Sequence, residues 1–139
     1  MKTDIEVLDG AIALIEKDGA WCQGAFCRDA NGYEVLFPML VKWEEPVPAL
    51  SAKPESFCLE GAIGFANGWF LTQPNAPAAA KLAGQWGRLL DLLRWHGLPE
   101  DRDLTKGWDI AAYNDLETTS QEDAILALKR TRSFLEGQE

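Results

Sequence analysis

The sequence predicts an α+β fold: a helix-dominated single domain, residues 1–139, with about four helices and one small antiparallel β-hairpin or sheet. Three observations carry that expectation. Apolar residues recur at helical spacing in several segments, and two of these segments open on a capping-box sequence. A turn sequence, Asp29-Ala30-Asn31-Gly32, joins two short stretches of strand character. Hydrophobic residues make up 47% of the chain against 25% charged, which is the balance of a chain with a packed core and not of a disordered one.

Thr3-Asp4-Ile5-Glu6 is the first capping box. Behind it Ile5, Leu8, Ile12 and Ile15 form one stripe and Gly19 supplies a stop, so a helix is expected over 4–18. Residues 20–28 and 33–37 are expected as the two strands around the turn, with apolar residues on both faces and therefore covered on both sides. Pro38, Pro46, Pro48 and Pro54, with the pair Glu44-Glu45, predict an extended connection over 38–54 with some strand character at 40–43, since each proline removes an amide donor. A second helix is expected over 55–66, with Ser56 near its start and Asn67-Gly68 as its stop. Asn75 and Pro77 introduce a third, whose stripe is Leu82, Trp86, Leu89, Leu90 and Leu93 and which ends at Gly97 and Pro99. The fourth opens on Thr119-Ser120-Gln121-Glu122, buries Ile125, Leu128 and Leu135, and closes at Gly137.

No apolar run approaches the roughly 20 residues of a membrane span, so no membrane partner is expected. Met1-Lys2-Thr3-Asp4-Ile5-Glu6 turns acidic at once and lacks the apolar stretch of a signal peptide, which points to a cytoplasmic protein. Three cysteines leave one unpaired, against a secreted disulfide scaffold. Cys22 and Cys27 are five apart, an odd spacing that puts them on opposite faces of a strand. With His96 the single histidine, a closed Cys/His zinc site would need it and all three cysteines together, so neither metal nor cofactor is expected.

The net charge of −9 gathers in two stretches, 1–65 and 99–123, at −6 each. Such a balance opposes direct binding of nucleic acid, which rests on neutralising phosphates, and favours a basic protein partner. Within the second stretch Glu100, Asp101, Asp103 and Asp109 are candidate binding residues, joined by Trp43, Trp69 and Trp108, which with Phe70 fall outside the helical stripes.

The enzyme alternative is a cysteine-dependent hydrolase. Cys58 lies near the start of the expected second helix, where the helix dipole lowers a thiol pKa; His96 would be its base, and Asn114 or Asp115 would orient the imidazole. The order Cys, His, Asn/Asp matches papain-like logic, although the local signature of those proteases is absent. Glu44-Glu45 and Glu122-Asp123 are adjacent pairs that point apart on helix or strand, so neither forms a two-carboxylate hydrolase. No phosphate loop, dinucleotide fingerprint or zinc-protease motif is present.

Three motifs remain: Trp21-Cys22-Gln23-Gly24-Ala25-Phe26, extended to Asp29 and Gly32; Cys58-Leu59-Glu60-Gly61-Ala62; and Tyr113-Asn114-Asp115. In these the chain resembles, over nearly its whole length, a family of small bacterial and phage proteins known only as a domain of unknown function. The third motif departs from the family's pattern at Tyr113, where the family carries Trp, so no indole N–H stands there. Read physically, Trp21, Phe26 and Tyr113 are apolar plates, Gly24 and Gly61 admit close backbone approach, Cys58 and Ala62 are small residues on one helical face, and Asn114-Asp115 ties loop amides. A structural or accessory protein without catalysis accounts for all of them. The phage occurrence of the family and the acidic charge imply a non-enzymatic binding module for the basic surface of a host or bacterial protein, such as an inhibitor of a nucleic-acid-binding host defence complex of the anti-CRISPR type.

Overall fold

Helix α1 (Asp4–Ile15) starts where its capping box places it: Thr3 Oγ1 accepts from the Glu6 N–H at 3.1 Å, and Glu6 Oε1 accepts from the Thr3 N–H at 3.0 Å. The computed structural model describes residues 1–36, 53–73, 75–99 and 110–138. The expectations for 38–52, and those for Trp43, Glu100, Asp101, Asp103, Trp108 and Asp109, lie outside the described residues.

After α1 the chain forms β1 (Cys27–Arg28), β2 (Ser56–Phe57), α2 (Leu59–Ala66), a 3₁₀ turn (Trp69–Leu71), α3 (Ala79–Leu92), a π-helical turn (Leu93–Gly97), α4 (Ile110–Asn114) and α5 (Gln121–Gly137). The architecture is helix-dominated α+β with one small antiparallel sheet, as expected. Helix α1 packs against both α2 and α5, and α5 carries the π-helical turn on its other contact. Val7, Leu8, Ala11 and Ile15 of α1 meet Leu59 and Ile63 of α2, Leu89 and Leu93 from α3 and its extension, Ile110, and Leu128 of α5 in one core. Each such aliphatic side chain, fully buried, contributes about 1.5–3 kcal/mol. An aromatic group extends the core: Phe70 lies edge-on to Phe26 and Phe65, and Trp69 and Trp86 tilt together with ring centres 4.7 Å apart.

Several elements differ from the sequence expectation. Among the described residues, the hairpin of 20–28 with 33–37 is a short one: Arg28 bridges Glu34, the Val35 N–H donates to the Cys27 carbonyl and the Asp29 N–H to the Tyr33 carbonyl. The partner of β1 is β2, with Cys27 opposite Phe57 and Arg28 opposite Ser56, so Ser56 is in a strand and does not start helix 2. Cys58 caps α2 instead, with its Sγ accepting from the Gly61 N–H at 3.2 Å. The last helix is capped by Ser120 and Asp123, one residue later than the Thr119/Glu122 reading; the Thr119 hydroxyl donates to the Tyr113 carbonyl at 2.7 Å. Asn114, expected in a loop, ends the short helix α4. Gln85 is 2% exposed on α3, and its amide donates to the Lys2 carbonyl and to Asp4, so a polar residue sits where only an apolar stripe was sought.

Two glycines are required by close approach. At Gly97 an added Cβ would meet the Ala127 carbonyl oxygen at 2.5 Å, so the π-helical turn rests directly on α5. At Gly61 an added Cβ would overlap the Phe26 carbonyl oxygen, because the first turn of α2 lies on the 22–26 loop. Gly87, on α3, has nothing within 4 Å of such a Cβ. Among the described residues no helix is long and apolar enough to cross a membrane. Gly61→Ala is therefore expected to destabilise by at least about 2–3 kcal/mol through backbone displacement. Gly87→Ala, in a helix interior with open space, is expected to stabilise by about 0.5–1 kcal/mol. Urea melts of the two variants check the pair, and equal effects would place the two glycines in equivalent surroundings.

Candidate functional site

The three motifs converge on the side chain of Asn114, which is 1% exposed. Its Oδ1 accepts from the Trp21 indole Nε1–H at 2.8 Å and from the Leu59 amide at 3.0 Å. Its Nδ2 donates to the Cys22 carbonyl at 3.0 Å and to Asp115 Oδ1 at 3.0 Å. Both faces of the amide are thus filled. Local geometry sets this up. Residues 20–22 run beside β2, with the Cys22 N–H donating to the Phe57 carbonyl and the Phe57 N–H to the Ala20 carbonyl, so the Trp21 ring is carried toward the end of α4.

The surrounding motif residues hold the same loop. Gln23 Nε2 donates to the carbonyls of Asn114 and Leu116, both at 2.9 Å. Gly24, at φ +77°, turns its N–H to Asp115 Oδ1 at 2.9 Å; a side chain would be strained in this left-handed conformation. Arg28 donates from Nε and Nη2 to the Gln23 carbonyl and from Nη1 to the Gly32 carbonyl. Asp29 Oδ1 accepts from the amides of Asn31 and Tyr33, an Asx turn completed by Gly32 at φ +85°.

Beside this knot opens a cleft of about 240 Å³. Gly24, Ala25, Phe26 and Ala111 give it apolar lining, Cys58 and Asn114 are its buried polar members, and Glu34, Glu60 and Asp115 add three carboxylates. Glu34 and Asp115 are exposed and Glu60 is half-buried.

The structure brings Cys58, Asn114 and Asp115 onto this cleft and does not bring His96 there. His96 is exposed on the π-helical turn, with its ring stacked flat on Phe134 of α5 at 3.5 Å. Burial pushes the Cys58 thiol well above its ordinary pKa, and the neighbouring Cys22 and Glu60 add to this, while the Gly61 N–H opposes it. The expected lowering at the helix N-terminus is therefore outweighed by desolvation. Burial likewise raises the Cys22 thiol and takes Cys27 to about 12. Cys22 and Cys27 are both buried, and residues 23–26 between them are bends, so the alternation of a strand does not apply. Among the described residues no group of three or more His, Cys, Asp or Glu could hold a metal ion. Trp69 is packed against Phe70 and Trp86, and its indole N–H is buried without an acceptor among the described residues. Among the described residues, the large aromatic residues presented to solvent are Trp95, 66% exposed, and Tyr33, 72% exposed, neither of them among the expected binding residues.

The chain belongs to the family of unknown function DUF6197, whose model matches residues 1–134. No curated protein and no solved structure gives a significant match.

Two outcomes are expected from the site. Asn114→Ala strands the buried Leu59 N–H and Cys22 carbonyl and removes the acceptor of Trp21; at about 1–3 kcal/mol per unsatisfied group the loss is about 3–5 kcal/mol, read from denaturant melts. A loss below about 1 kcal/mol would mean that the knot does not hold the fold. The thiols give a pH dependence. A raised folded-state pKa confers stability that is complete below the unfolded value, 9.0, and is lost as pH rises toward the folded value, about 12 for Cys27. The urea midpoint should fall as pH rises from about 9 toward about 12, less so in Cys27→Ala, and at neutral pH Cys58 should resist maleimide until denaturant is added.

Proposed function

We propose that the protein is a non-enzymatic, acidic protein-binding module that engages a basic surface of a partner. What supports this is the division of labour at the cleft. The side chains with catalytic potential are used internally: the Asn114 amide makes four hydrogen bonds, and the Cys58 thiol caps α2 in its protonated form. Among the described residues, the titratable groups on the cleft's solvent side are carboxylates, in a chain of net charge −9. A cleft of that sign repels phosphates and attracts cationic side chains.

The sharper form of the proposal follows from the phage occurrence of the family that the sequence resembles. There the partner is a nucleic-acid-binding host defence complex, and the acidic protein occupies its basic groove as an inhibitor of the anti-CRISPR type. The cleft carboxylates would face that groove, and the charge of the acidic stretch 99–123 would add to the attraction.

Electrostatic pairing of this sort acts mainly on the association rate and weakens as salt shortens the Debye length from about 10 Å at 0.1 M to about 3 Å at 1 M. With a partner isolated by pulldown from host cells, two charge reversals are compared. Asp101→Lys with Asp103→Lys is expected to lower the association rate about tenfold at low salt. Glu122→Lys with Asp123→Lys is expected to lower stability by about 0.5–2 kcal/mol, because Asp123 completes the Ser120 cap. An association rate indifferent both to salt and to the first pair would reduce the acidic surface to a solubility feature.

A further inference from the structure

We propose that the cleft beside Asn114 and Asp115 is a socket for one arginine side chain of the basic partner, an inference that rests on the binding-module reading and names the contact it would use. Size is the first constraint. At about 240 Å³ the cleft lies below the roughly 300–1,000 Å³ that small-molecule sites occupy, so it suits a single side chain better than a cofactor or metabolite. Its lining is the second. Ala25, Phe26 and Ala111 offer apolar surface for an aliphatic stem and the flat face of a cation, while Glu34, Glu60 and Asp115 bring carboxylates to the same space.

The form of the cation follows from how the carboxylates are disposed. They do not converge tightly enough to hold a metal ion. Acceptors spread around a small cleft instead match the guanidinium, a planar fork of five N–H donors, better than the compact charge of a lysine. Asp115 is already oriented for such a partner: its Oδ1 is held by the Gly24 N–H and by Asn114 Nδ2. Among the described residues no basic residue lines the cleft, and Arg28, next to Gly24, directs its donors to the Gln23 and Gly32 carbonyls. Charge complementarity therefore selects a basic occupant. Tyr33 and Leu36, on either side of Glu34 in the chain and 72% and 50% exposed, offer apolar surface for residues flanking the inserted arginine.

The probes are two peptides, one alternating glycine with arginine and one alternating glycine with lysine, titrated at low salt into the full chain and followed by amide chemical shifts. The arginine peptide should shift Ala25, Glu34 and Ala111 and bind more tightly than the lysine peptide. Glu34→Gln should weaken it about fivefold, as for loss of one exposed ion pair. Ala111→Phe fills the cleft without changing net charge, and should abolish saturable binding while the thermal midpoint stays at the parent's value. Shifts scattered over the acidic surface, or an affinity unchanged by Ala111→Phe, would overturn the socket while leaving an acidic binding module in place. Equal binding of the lysine peptide would overturn the choice of arginine, and no saturable binding of either would overturn the socket outright. The binding-module reading fails separately, on the salt dependence of the natural partner.

Discussion

The rest of the structure depends on the amide of Asn114. Its side chain ties all three motif segments: it accepts from Trp21 and Leu59 and donates to Cys22 and Asp115. Few side chains can do this. An aspartate would face the Cys22 carbonyl and the Asp115 carboxylate with oxygen, and a leucine would take this partner from the Trp21 and Leu59 N–H groups and from the Cys22 carbonyl. Each unsatisfied buried group costs about 1–3 kcal/mol against a total stability of about 5–15 kcal/mol for an ordinary domain. A single amide thus controls a sizeable share of what keeps the chain folded. The approach of Gly61 to the Phe26 carbonyl belongs to the same constraint, because it fixes the loop that carries Trp21 and Gln23 against the first turn of α2.

The same packing decides what chemistry the cleft supports. Cys58 sits at a helix N-terminus, where the dipole favours a thiolate by about 0.3–1 kcal/mol, less than one pKa unit. Full burial can shift a pKa the other way by about 3–5 units. Desolvation therefore prevails, and the thiol serves as a hydrogen-bond acceptor for the Gly61 N–H. His96 is engaged with Phe134 and does not line the cleft. What faces solvent there is negative charge beside apolar surface, the combination on which the proposed binding role rests.

Local signals in the sequence were legible and long-range ones were not. The Thr3/Glu6 cap, the stripe of Ile12 and Ile15 and the Gly137 end all follow from rules that span one or two helical turns. Pairing across the turn was legible, since Glu34 bridges Arg28 and the Val35 N–H donates to the Cys27 carbonyl, but the second partner of Cys27 and Arg28, Phe57 and Ser56, was not, because it comes from a distant segment. Ser120 outcompeted Thr119 as the cap because the Thr119 hydroxyl is taken by the Tyr113 carbonyl, a contact no local pattern reveals. At the site, the residue types of all three motifs were visible; of the pair read as a tie for loop amides, Asp115 accepts from the Gly24 N–H, whereas Asn114 accepts from Leu59 in the first turn of α2. That Trp21 and Asn114 meet across 93 positions was not visible, since nothing in the spacing of either residue encodes the other. The clue was indirect: an Asn, a Gln, two glycines and a Trp in separate short motifs, with no chemistry among them to explain it.

Native-state hydrogen exchange at the Trp21 indole N–H and the Leu59 amide tests the central claim most directly, with the exposed Trp95 indole as an internal reference. If Asn114 holds the three segments together, both protons exchange only through global unfolding, and their protection tracks the stability of the whole domain. Exchange of either proton at a rate near that of Trp95 would contradict the account, because the motif segments would then open independently of the fold.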